Sequence, residues 1–267
     1  MLCSPRFILR QTFYPDAHVQ THPAQDCQWL LIVAAVSLLP IVVLRWAPAP
    51  GSMLMVERWV TERDTPGYQR QYQWTPYAQI PDSMKMAVIA AEDQRFAEHY
   101  GFDLKAIRAA VEHNMQGGNL RGASTISQQV AKNLFLWSGR SYVRKGLEAW
   151  FTLGIELIWP KQRVLEMYLN IAEWDHGVYG VEAAARHHFG VGASYLSSQQ
   201  SAQLAAVLPS PLNWDAAGPP PHALRRANWI RQQSQQLGGR HYLDRMEAGQ
   251  PLPDWLTLRY WRNRLDI

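Results

Sequence analysis

Glu92 is the first residue from which chemistry can be argued. It closes an apolar run (Met84, Ala87, Val88, Ala91) that opens after Pro81, with Asp82 or Ser83 available as N-cap. Val88, Glu92 and Phe96 stand four residues apart, so on a helix they share one stripe and a carboxylate falls on the face meant for the core. Lost hydration there raises a carboxyl pKa toward the working range of a general base or acid. A surface ion pair with Arg95, three residues on, is the plainer account of the same residue. A second stretch, Gly122-Ala123-Ser124-Thr125-Ile126-Ser127-Gln128-Gln129, leads into Val130-Ala131-Lys132-Asn133. Free N–H groups, hydroxyls, amides and an ammonium at a helix start can cradle an anion, although a polar first turn has the same composition. In a third stretch, Arg144 and Lys145 precede Glu148 by four and three residues, so all three heads reach one helical face. That is either a structural ion-pair cluster or a second carboxylate opposite Glu92, flanked by cations.

The flanking charge selects the reaction type. Two carboxylates across a sugar could hydrolyse a glycoside, but one must then be protonated to expel an alcohol. A diphosphate leaving group needs fixed positive charge instead. Lys132, Arg140, Arg144 and Lys145, all within one short interval, suit the second demand.

The elements that must position these groups are mostly helical. Beyond Pro81, helical periodicity covers 103–115, 125–135, 141–158, 161–171, 180–188, 198–208 and 222–237, with a capping-box signature at Ser197 to Gln200. Val143, Leu147, Phe151, Ile155 and Ile158 form the expected apolar stripe of the 141–158 helix. No strand alternation is sufficient for a sheet, although 53–80 contains short alternating pieces such as Gln71 to Trp74 and is expected to form a small extended region. Residues 1–26 are polar and without period, and read as a disordered tail. Cys27 to Leu44 runs without a charge, close to the lower limit of about 17 residues for a membrane span. Trp29 and Trp46 bracket it as interfacial anchors, and Arg6 and Arg10 place the N-terminus in the cytoplasm. The expected organisation is therefore a 1–26 cytoplasmic tail, a 27–46 transmembrane anchor, a 47–80 linker and extended region, an 81–240 catalytic domain and a 241–267 cap. Both cysteines, Cys3 and Cys27, fall at or before the apolar segment, so neither a disulfide framework nor a metal spacing is present. From His222 onward, eight Arg face four acidic residues. With no nucleic-acid module in the chain, the partners expected for this basic excess are an anionic membrane surface or a phosphate-bearing substrate.

Five stretches, in order, carry a resemblance. Glu-Asp-x-x-Phe-x-x-His-x-Gly begins at Glu92, and Gly-x-Ser-Thr-Ile-x-Gln-Gln-x-x-Lys-Asn at Gly122. Arg-Lys-x-x-Glu begins at Arg144, Lys-x-x-x-Leu-Glu-x-Tyr-Leu-Asn at Lys161, and Gly-x-x-Ala-Ala-x-x-x-Phe-Gly at Gly180. The series resembles the motifs of the peptidoglycan glycosyltransferases, glycosyltransferase family 51, and among them the monofunctional biosynthetic transglycosylases. It covers roughly 70–240. The resemblance implies a mainly α, lysozyme-like helical domain with a membrane-facing jaw at 102–121, preceded by one transmembrane helix. It implies polymerisation of lipid II outside the bacterial inner membrane, by inverting transfer to the growing glycan chain with release of undecaprenyl diphosphate. Glu92 and Glu148 match the family's catalytic positions, with Glu92 the base. Lys132, Arg140, Arg144 and Lys145 match the diphosphate side, which Ser124, Thr125, Gln128, Gln129 and Asn133 line or shape. Asp93, Phe96 and His99 match positions that hold Glu92. No cofactor is required by this reading, and a magnesium or manganese ion at the diphosphate is left open because no dedicated ligand cluster is present. Ser-x-x-Lys and Lys-Thr-Gly are absent, so no transpeptidase activity is expected. Membrane lipid, cell-wall synthases and division proteins are the expected partners, with no nucleic acid. The alternatives are a lytic enzyme on the same fold and a non-catalytic cell-wall scaffold.

Overall fold

A computed structural model of the 267-residue chain describes residues 23–117, 122–139 and 141–249. Arg140, the first 22 residues and the Trp255, Leu258, Trp261 and Leu265 series lie outside the described residues. The chain divides into two compact units, Met1–Leu39 and Pro40–Ile267. Eleven α-helices occur among the described residues: α1 Pro23–Leu44, α2 Met53–Glu62, α3 Asp82–Glu92, α4 Leu104–Met115, α5 Ile126–Phe135, α6 Tyr142–Ile158, α7 Lys161–Ile171, α8 Val181–Phe189, α9 Ser198–Val207, α10 Pro221–Gln236 and α11 Arg240–Glu247. The seven helices expected beyond residue 100 all form within a residue or two of their expected ends.

Several expectations need correction. α1 begins at Pro23, so 23–26 belong to a helix rather than to the tail. The transmembrane expectation for 27–46 falls partly on side chains outside the described residues, and among the described residues no helix is long and apolar enough to cross a membrane. Part of the expected extended region is α2, whose Ser52 side chain accepts from the Met55 amide at 3.3 Å. A small sheet is present as well, made of β1 Gln71–Tyr72, β2 Glu173–Asp175 and β3 Val178–Tyr179 in the order β1-β3-β2. β1 runs parallel to β3 and β2 antiparallel to it. Strands of two or three residues are too short to display an alternation, which is why periodicity misses them.

Pro40–Ile267 is organised around α3. Met84 to Ala90 are buried all round this helix, between α9, α10 and α11. Its N-cap is Pro81, not Asp82 or Ser83, and Asp82 sits in the first turn, where it pairs with buried Lys85 at 3.2 Å. α5 packs against α6 and α7 as the second helical group. α6 departs from its expected stripe: Ile155 is in the core, but Val143 and Leu147 are exposed, as are Trp150, Leu153 and Leu157. The apolar content of α6 exceeds what its core contact can bury.

Two close approaches fix the loops that feed the site. Gly101, after the turn that follows α3, has φ +79°, and a Cβ there would lie 2.6 Å from Thr152 Cγ2 on α6. Gly180, which opens α8, has φ +82° and a Cβ site 2.7 Å from the Asn170 carbonyl. Gly101→Ala should therefore destabilise the chain by about 1–3 kcal/mol, read as a lowered midpoint in thermal unfolding. Adding Thr152→Ser removes the clashing methyl, keeps the hydroxyl that donates to the Glu148 carbonyl at 2.6 Å, and should recover part of the loss. An unchanged midpoint in Gly101→Ala would contradict the packing.

Candidate active site

Glu92 is the last residue of α3, and the helix stops because Asp93 leaves it with φ −159°. Phe96 therefore reaches the core from a separate short turn, not from the stripe shared with Val88. Arg95 is not the partner of Glu92: it bonds Glu98 at 2.9 Å and Asp103 at 2.8 Å. The plainer account of Glu92 is thereby removed. Its carboxylate instead accepts from Gln129 Nε2 at 2.9 Å and faces Arg226 of α10 at 3.5 Å. Burial pushes the Glu92 carboxyl above its usual range, and neighbouring Asp93 adds to this. The Gln129 amide, Arg226 and Lys132 oppose the shift without cancelling it.

Asp93, Phe96 and His99 form the base beneath Glu92. Both Asp93 oxygens face His99 Nε2, at 2.9 and 3.1 Å, and one accepts from the Ile126 amide at 3.0 Å. Ile126 is the first residue of α5, so Asp93 joins the end of α3 to a helix N-terminus, where negative charge is favoured. Phe96 is fully buried, edge-on to His99, with Lys161 Nζ over its ring at 4.5 Å.

α5 carries the polar groups of the second motif, and the structure divides them by task. Thr125 and Gln128 form a capping box, and the Thr125 hydroxyl donates to the Gly101 carbonyl at 2.6 Å. Gln128 is thereby committed to the turn. Ser124 and Thr125 line a cavity of about 310 Å³ together with Glu92, Asp103 and Trp229. Gln129, Lys132, Asn133 and Arg144 line a second, of about 390 Å³, whose far wall includes Tyr168 and Glu173.

Glu148 on α6 is almost wholly buried, and both its oxygens are engaged: Arg144 Nη1 lies 2.8 Å from one, and Lys145 Nζ bonds the other. The carboxylate thus holds two cations in place. Lys132, one helix away, links the two halves of the site. Burial lowers its pKa, Arg144 and Lys145 lower it further, and the carboxylates of Glu148 and Glu92 pull it back up. The structure therefore gathers Glu92, Gln129, Lys132, Asn133, Arg144, Lys145 and Glu148 around one region.

Two residues of this region have contacts with the site that local sequence does not show. Arg226 reaches Glu92 and the Ala91 carbonyl from α10, more than a hundred residues away in sequence. Tyr168, a fixed position of the fourth motif to which the sequence assigns no role, donates its hydroxyl to Gln129 Oε1 at 3.3 Å. That bond fixes the amide so that its nitrogen faces Glu92. Complete burial keeps the phenol protonated and able to donate.

A half-buried carboxyl of raised pKa beside a knot of bound cations suits transfer to a sugar hydroxyl with an anionic leaving group. The transglycosylase family matches residues 59–235, and the chain belongs to it. It is an enzyme, a peptidoglycan glycosyltransferase, as the five motifs imply. The biosynthetic peptidoglycan transglycosylase of Ectopseudomonas mendocina is 58% identical over 234 residues, covering 85% of this chain and 94% of its own length. That of Pseudomonas aeruginosa is 60% identical over 224 residues, covering 82% and 95%. That of Pseudomonas fluorescens strain Pf0-1 is 61% identical over 218 residues, covering 80% and 90%.

As a proton acceptor, the role its raised pKa suits, Glu92 would act in its ionised form, and kcat/KM would then fall as pH drops through that pKa. Gln129→Ala, Tyr168→Phe and Arg226→Gln each weaken a contact that favours the ionised form. Each should move the acid limb of the kcat/KM–pH profile to higher pH. An unmoved limb in all three would remove Glu92 from the role of base.

Proposed function

We propose that this enzyme polymerises lipid II, with Glu92 as general base. The carboxylate takes the proton of the acceptor's GlcNAc 4-hydroxyl as that oxygen attacks C1 of the donor's MurNAc from the face opposite the diphosphate. A β-1,4 bond forms, the C1–O bond to the diphosphate breaks, and its electron pair leaves with undecaprenyl diphosphate. Lys132, Arg144 and Lys145 meet the charge that develops on the leaving group. The observation that carries this reading is that Gln129, Lys132 and Arg144 line one cavity, with Gln129 bonded to Glu92 and Arg144 to Glu148. Glu148 acts in it as a positioning residue for the two cations. The lytic alternative needs a carboxylic acid to protonate an alcohol, and both oxygens of Glu148 are already taken up by Arg144 and Lys145.

A dedicated magnesium or manganese site fits the cavity poorly. Glu173 is the one carboxylate among its lining residues, and it is engaged by Arg58 at 3.2 Å and by the Tyr179 hydroxyl at 3.2 Å. The diphosphate is therefore assigned to side-chain cations. Transpeptidation has no part in the proposal, given the absence of Ser-x-x-Lys and Lys-Thr-Gly.

In the same proposal the catalytic domain lies on the periplasmic face of the bacterial inner membrane, with α1 as its anchor and the N-terminus cytoplasmic. Exposed apolar side chains support a lipid-facing side: Leu104, Val111 and Met115 form one stripe of α4, and Val143, Leu147, Trp150 and Leu157 one of α6.

Purified protein with lipid II should yield polymer resolved on gels, and Glu92→Gln should lower the rate by about 10²–10⁴-fold while keeping the wild-type melting midpoint. Lys145 is 50% exposed, so Lys145→Ala should lose about 10²-fold in rate with little change in stability. Lys161 is 9% exposed and bonds Glu156 at 2.8 Å, so Lys161→Ala should act mainly on stability. Full polymerisation by folded Glu92→Gln would overturn the mechanism.

A further inference from the structure

At the end of β2 opposite its Glu173, three side chains from two elements converge, and none has a task in the glycosyl transfer. Asp175 lies at the end of the strand, and His187 and His188 lie in the last turn of α8. Their donor atoms all stand within 4.8 Å of one another. His187 Nε2 is 3.3 Å from Asp175 Oδ2, and His188 Nε2 is 3.8 Å from the same oxygen. Charge-assisted N–H···O bonds draw in to about 2.7–2.9 Å, so both contacts are long for direct ion pairs. They are close to the spacing of donors around one small cation. With metal–ligand bonds near 2.0–2.2 Å, the corners of a tetrahedron stand roughly 3.4 Å apart.

The other face of His188 supports the same reading. Its Nδ1 is 3.0 Å from Asp215 Oδ1, and that oxygen also accepts from the Ala217 amide at 2.8 Å. Nδ1 is thus turned to Asp215 and Nε2 toward Asp175. Nε2 also faces the Trp174 carbonyl at 3.4 Å. Nε2 is therefore the ring nitrogen placed to ligate an ion beside Asp175. A histidine whose second nitrogen is held by a carboxylate is the usual arrangement around a bound metal. His188 is 2% exposed, whereas His187 is 39% and Asp175 29% exposed, so the cluster is rigid on one side and open to solvent on the other.

We propose that Asp175, His187 and His188 bind one divalent transition-metal ion, with zinc the preferred species, and that Asp215 is the outer partner that orients His188. Two imidazoles and one carboxylate suit zinc and leave a fourth position for water. The ion would tie the end of β2 to α8. β2 also carries Glu173, which lines the cavity of Lys132 and Arg144, so the site would brace that wall without entering the reaction.

Untagged full-length protein in detergent, stripped with chelator and dialysed, is titrated with zinc chloride by calorimetry. One equivalent should bind, and zinc should raise the melting midpoint. The cobalt(II) form should show the intense visible bands of a four-coordinate N/O site. His187→Gln and Asp175→Asn should each weaken binding at least tenfold and abolish the zinc-dependent rise in midpoint. Asp215→Asn, which keeps all three ligands, should weaken binding by about 10–100-fold. Absence of stoichiometric binding to a folded wild-type chain would overturn the proposal, with the histidines then acting as plain ion-pair partners of the two aspartates. Zinc binding that both His187→Gln and Asp175→Asn leave unchanged would also overturn it. Neither result bears on Glu92 or on polymerisation, which the lipid II assay tests separately.

Discussion

The site depends on one buried carboxylate. Asp93 ends α3 and at once accepts from the first amide of α5, while His99 holds it from the other side. A helix N-terminus leaves several N–H groups without partners, and an anion there is favoured both by hydrogen bonding and by the helix dipole. Because Glu92 and Asp93 are adjacent, fixing Asp93 against α5 also fixes where the neighbouring carboxylate emerges. Gln129 and Lys132, one and two turns into the same helix, then face Glu92 by the geometry of the helix alone. Loss of this junction would separate the proton acceptor from everything that tunes it.

The two carboxylates of the site illustrate how surroundings assign roles. Glu92 meets one neutral amide and one more distant guanidinium, so desolvation prevails and its proton affinity rises. Glu148 is more deeply buried but has a cation on each oxygen, so it serves to hold Arg144 and Lys145 in place. The residue type is the same and the difference lies in the partners. α11 completes the support: its buried Tyr242 accepts from the Ala97 amide at 2.9 Å and donates to the Gln94 carbonyl at 3.2 Å, holding the turn that follows Glu92.

Much of the helical framework was legible in the sequence because it rests on local rules. Periodicity located α4 to α10, and the capping box at Ser197 formed as its spacing predicts. The Glu92, Lys132 and Arg144–Lys145–Glu148 stretches were recognisable because each lies within one helix or at its end. What escaped was long-range or too short to have a period. Arg226 and Tyr168 reach Glu92 and Gln129 only through tertiary packing. β1 to β3 are pairings of two or three residues. On α6 the limit is of another kind: hydrophobic spacing reports that a face avoids water, not whether protein covers it, and Val143 and Leu147 stay exposed.

The weakened proton affinity of Lys132 has a consequence beyond catalysis. Burial sets that direction, and the neighbouring cations of Arg144 and Lys145 add to it. An anionic guest beside Lys132 opposes both, so its binding is coupled to the protonated form of that ammonium. Occupancy would then be visible as a buffer-dependent heat, and molecules that copy the guest's shape without its charge would forfeit that coupling.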